Sequence, residues 1–154
     1  MLPIASVGNM VGTAREALFP QDAPVCGVTR LIGVVIGANV NQTNTDIAVP
    51  LLLLPGSNFV IDSILINNAS VSLTTATFGV FSAAAAGGVT IVTAGAVLSG
   101  LTATTSNLVA TLAATATTTV LNQTTVANNL YFRVGTSHGA PATIDVYIFA
   151  KVLT

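Results

Sequence analysis

Between Asp62 and Arg133 the chain carries no charged side chain, a stretch of about 70 residues in a protein of 154. How its apolar residues are interrupted decides what that stretch can become. A transmembrane helix needs about 20 consecutive apolar residues. Here Thr, Ser or Asn interrupts the sequence every two or three positions, and the best apolar run, Ile47 to Leu54, contains Pro50 and is followed by Pro55. The Ala content would permit helix on propensity alone. Thr and Val recur too often for that, because β-branched side chains are stiff at χ1 and pack best on a pleated surface. No window shows a 3.6-residue period with a charged opposite face. The stretch reads as strands and turns.

The charge balance narrows the function classes. Only 6% of residues are charged and the net charge is −1, against roughly a quarter charged in ordinary soluble domains. There is no basic stripe for neutralising phosphates, so a nucleic-acid partner is not expected. No membrane span is expected, and the N-terminus lacks the basic-then-apolar layout of a secretory signal. Enzymes need ionisable groups for acid–base work and metal binding, and this chain has few to offer. Cys26 is the single cysteine, which excludes an internal disulfide framework or a cysteine-based zinc cluster. A surface so poor in charge is a solubility liability for a monomer, and burial between subunits resolves it.

The length suits one domain. Residues 1–26 hold three of the six prolines in the chain and the local pair Arg15–Glu16. They read as an arm that orders against a neighbour, with a short helical turn near Thr13–Phe19. Residues 27–154 form the β domain. Strands are expected at 28–40, 45–54, 59–67, 73–82, 89–98, 108–114, 129–135 and 143–153. Residues 117–121 read as β-prone or as an extended loop, and 101–107 as a helical turn. Asn41–Thr45, Pro55–Asn58, Asn67–Ser70 and Ser137–Pro141 supply turn chemistry. About eight strands at this spacing predict an antiparallel β-sandwich or jelly roll.

Few residues invite a chemical role. His138, the single histidine, lies in the final turn between Ser137 and Gly139. It reads as an exposed or interface residue, with a pH-sensitive or metal contact on a symmetry axis as the sharper option. Cys26 reads as a buried, inert thiol rather than a nucleophile. Arg133 and Asp145 flank the last turn symmetrically, so counting outward pairs them across a hairpin as a structural ion pair. Asp62, inside an apolar strand, needs a partner, with Arg30 as one option. Gly87–Gly88 lacks phosphate-loop spacing. Asn41-Gln42-Thr43, Asn68-Ala69-Ser70 and Asn122-Gln123-Thr124 match the glycosylation acceptor pattern by composition. No catalytic residue, metal ligand or cofactor site is predicted.

Two segments carry a resemblance. FVIDSILINNASVSLTTATFGV (59–80) and NLYFRVGTSHGAPATIDVYIFAKVL (129–153) together resemble the head decoration or cement proteins of tailed bacteriophages and related jelly-roll appendage domains. The likeness spans about the last two-thirds of the chain and is compositional. It implies a non-enzymatic virion protein, often a homotrimer, bound to the major capsid protein on the outer capsid surface and made in the host cytoplasm. The alternatives are a phage fibre, spike or tail-tip domain that binds a host receptor, a cell-surface or matrix β protein, and a small hydrolase or lyase on a β scaffold. An enzyme would require a clustered His/Asp/Glu pocket.

Overall fold

A computed structural model describes residues 27–153. The expected arm, with Arg15, Glu16 and Cys26, lies outside the described residues. Nine strands follow in order: β1 Thr29–Asn39, β2 Thr45–Pro50, β3 Asn58–Asn67, β4 Thr77–Ala83, β5 Gly87–Val97, β6 Asn107–Val109, β7 Leu121–Asn122, β8 Asn129–Val134 and β9 Thr143–Val152. No helix occurs among them. The expected helical turn at 101–107 is two tight turns, closed by Leu101 N–H to Leu98 C=O and Ser106 N–H to Ala103 C=O.

The strands form two antiparallel sheets, so the fold is an all-β sandwich. One sheet runs β1-β9-β3-β6, with β7 also on β3, and the other runs β2-β8-β4-β5. Setting β7 aside, the pairs nest: β1 with β9, β2 with β8, β3 with β6, β4 with β5. A chain that doubles back as one long hairpin and then rolls into two layers produces that nesting.

Period-two alternation, reset in β3 by the register shift between Ile61 and Ser63, places the core. Phe59, Ile61, Ile64 and Ile66 of β3, Leu130, Phe132 and Val134 of β8, and Ile144, Val146 and Ile148 of β9 are all buried. They point between the sheets. Phe78 and Phe132 stack within this layer with ring centroids 5.1 Å apart. Burying such side chains contributes about 1.5–3 kcal/mol each, so a chain with few charges has ample driving force.

Sequence-adjacent strands do not always pair. The last two expected strands were read as a hairpin, but β8 and β9 lie in different sheets. The connection 135–142 crosses from one layer to the other, a gap of about 10 Å. The β4–β5 connection is tight, with Ala85 at φ 56° and Ala86 at φ 60°. Gly87 N–H closes it onto Ala84 C=O at 3.0 Å, which is a type I′ turn built from two alanines.

Candidate functional site

An antiparallel sheet with one solvated face alternates apolar inward and polar outward. The four-stranded sheet presents Asp46, Ala48, Pro50, Asn129, Tyr131 and Arg133 outward, a mixed polar face read from its register. The five-stranded sheet breaks the rule. Its outward positions form four rows across β1, β9 and β3, with β6 extending the last two. The first row is Thr29, Lys151 and Val60. The second is Leu31, Phe149 and Ser63. The third is Val34, Tyr147, Leu65 and Val109. The fourth is the Ile36–Gly37 bulge, Asp145, Asn67 and Asn107. Ile36 is 64% exposed and Val109 65% exposed, while Tyr147, Phe149, Leu65 and Val34 lie half-buried between them. The sheet is thus apolar on both faces, with Lys151 and Asp62 at one end and amides around the buried Asp145 at the other.

Each end has its own chemistry. At the first, Lys151 Nζ lies 3.5 Å from Asp62 Oδ1. A register shift between Ile61 and Ser63 turns Asp62 outward toward β9. Lys151, rather than Arg30, is therefore its partner. At the other, Asp145 is buried although its position points away from the core. Its carboxylate accepts Gly37 N–H at 2.8 Å and Asn68 Nδ2–H at 2.8 Å. Gly37 sits at φ +69° in the register shift between Val35 and Ala38, where a left-handed residue costs glycine nothing. Asp145 thus anchors a bulge in β1 and the β3–β4 connection together. Asn67, opposite Asp145 on β3, has a buried Oδ1 without a hydrogen-bond partner among the described residues.

This corrects the expected Arg133–Asp145 pair. Arg133 Nη1 instead donates to Asp46 Oδ1 at 2.8 Å, its register partner on β2. Asp46 Oδ2 also accepts Ala85 N–H at 2.6 Å, tying the alanine turn to the sheet. The symmetric count assumed a tight hairpin, and the interlayer crossing removes it. His138 is half-exposed. Its backbone N–H donates to Val40 C=O at 3.1 Å, while ring Nδ1 is buried without a partner among the described residues. The acceptor-pattern asparagines at 68 and 122 serve as clamps. Asn122 Nδ2 donates to Gly56 C=O and Asn58 Oδ1 at 2.9 Å each, and buried Gln123 takes Gly56 N–H at 3.0 Å. Sequence reasoning missed the Asp145 anchor and the Gln123 clamp, because both depend on partners more than 60 residues away.

Clefts between described residues flank the sandwich. One of about 420 Å³ lies between the β4–β5 hairpin and residues 119–126, and one of about 400 Å³ lies between β5 and β6. Neither is lined by a charged residue or histidine, so general acid–base chemistry finds no group in them. Among the described residues no three or more His, Cys, Asp or Glu gather as for a metal, and no helix is long and apolar enough to cross a membrane. No protein-family model, curated protein or solved structure matches the chain.

Proposed function

We propose that this protein is a structural subunit that assembles with copies of itself and with the major capsid protein on the outer surface of a bacteriophage head, where it decorates and stabilises the shell. The observation that carries the assembly reading is the apolar outer face of the five-stranded sheet. Contiguous exposed apolar surface on a soluble domain marks an interaction site. Aromatic residues at the centre of an apolar patch with polar groups at its ends, as Tyr147 and Phe149 are, match the anatomy of protein interfaces. The nested strand pairing supports a jelly-roll reading of the sandwich, and the viral setting rests on the resemblance of residues 59–80 and 129–153 to cement proteins. Three copies about one axis is the stoichiometry that resemblance implies.

Electron microscopy of intact particles tests the setting. Density for the chain at three-fold positions on the capsid exterior is the expected result, and absence of the protein from purified virions would overturn it. Light scattering tests the assembly. A trimer mass is expected, and a stable monomer at micromolar concentration contradicts it.

A further inference from the structure

The outer face of the five-stranded sheet is complementary to itself, and we infer that it binds the same face of a second copy about a two-fold axis. The axis runs parallel to the strands, midway between β9 and β3. A two-fold contact places the same patch on both partners. With this axis each row meets its own row, and lateral order reverses: β9 of one copy lies over β3 of the other, and β1 over β6.

The rows then match in chemistry. Lys151 of one copy lies over Val60 of the other, beside the bulged Asp62, so each ammonium stands near the carboxylate of the second copy as well as its own, and the same approach repeats across the axis. Phe149 stands over Ser63, a large ring against a small side chain. Tyr147 stands over Leu65, and Val34 over Val109. Asn67 faces the Asp145–Asn68 cluster, so polar meets polar. All these assignments follow from the register of β9 with β3, of β3 with β6 and of β1 with β9. An axis perpendicular to the strands would instead set Lys151 toward Asp145, whose carboxylate is buried and already accepts Gly37 N–H and Asn68 Nδ2–H, and Asp62 toward the amide of Asn67. Four strands about 4.8 Å apart and four rows about 6.8 Å apart give a footprint of roughly 20 by 25 Å with side chains. The two partners together bury about 1,000 Å², at the lower limit for a specific interface. The contact is therefore concentration-dependent and suits joining subunits that other contacts also hold.

This pairing rests on the assembly reading and is separable from the trimer, since an isologous contact doubles an assembly and cannot close a ring of three. The test is sedimentation of the full-length chain across micromolar concentrations. Wild type is expected to show a doubling step, giving a dimer, or a hexamer where trimers also form. Asp62→Lys and Lys151→Asp each place like charges across the axis and are expected to weaken doubling about tenfold or more. Mixing the two variants in equal amounts restores both opposite-charge pairs and is expected to restore doubling as a heterologous species. Val109→Lys, at a position 65% exposed and outside the core, is expected to weaken doubling without affecting folding, checked by circular dichroism. A trimer that never doubles, or doubling that survives all three substitutions, overturns the two-fold contact and leaves the face to the capsid or to residues 1–26. A monomer under every condition overturns both this contact and the assembly reading.

Discussion

Replacing Asp145 with alanine tests the anchor that the structure assigns to it. The carboxylate accepts two hydrogen bonds, both 2.8 Å, from Gly37 N–H and Asn68 Nδ2–H. Hydrogen bonds to a charged group contribute about 1.5–3 kcal/mol each, so removing both costs about 3–6 kcal/mol gross. Two terms offset part of that. Gly37 and Asn68 are exposed, so water can satisfy their freed donors. Removing a buried charge also releases its desolvation penalty. The expected net loss is about 2–3 kcal/mol, or a midpoint lowered by roughly 10 °C for a domain of this size. Urea denaturation of wild type, Asp145→Ala, Asn68→Ala and the double variant measures it. The cycle should show a coupling of about 1 kcal/mol or more, because Asn68 acts through Asp145. A loss below about 0.5 kcal/mol for Asp145→Ala, the level of an ordinary surface change, would refute the reasoning.

A cycle on Arg133 and Asp46 should give a coupling of about 0.5–1 kcal/mol, since both side chains are about one-fifth exposed. The same cycle on Arg133 and Asp145 should give none within error. Asp46→Ala should cost more than Arg133→Ala in thermal melts, because it also frees Ala85 N–H. Replacing Ala85–Ala86 with Asn–Gly should stabilise the protein by about 1 kcal/mol, since Asn and Gly accept the positive φ of a type I′ turn; no gain in chemical denaturation would count against that turn. Gly79→Val should destabilise by about 1–3 kcal/mol. Its Cβ would lie 2.8 Å from the Phe81 ring and 3.1 Å from Ala94 Cα, and increased Phe81 mobility by NMR would accompany the loss.

The β content of this chain was legible because Val, Ile and Thr alternate with small residues over most of its length. Strand β3, expected at 59–67, spans Asn58–Asn67, where an apolar run interrupted only by Asp62 and Ser63 meets turn residues at both ends. The expected strand at 108–114 contracts to Asn107–Val109. Ala110 N–H bonds Ile64 C=O in one sheet and Ala113 N–H bonds Ile91 C=O in the other, so that segment bridges the layers. Residues 73–76, also read as strand, form a loop in which Leu73 and Ala76 are nevertheless buried. Apolar character there reports burial and says nothing about pairing.

The charge-free run, with Thr and Val recurring through it, determined by itself that the chain builds strands and turns, while bulges in β1 and β3 reset which residues face the core. Only the tertiary structure decided which strands are neighbours. Alternation fixes facing between bulges but carries no information about partners, so Arg133 could be seen on a strand while Asp46, 87 positions away, could not be seen beside it. The same limit hid the interaction surface. Leu31, Val34, Leu65, Val109, Tyr147 and Phe149 come from four strands scattered along the sequence, and they become one apolar face only when β9 is inserted between β1 and β3.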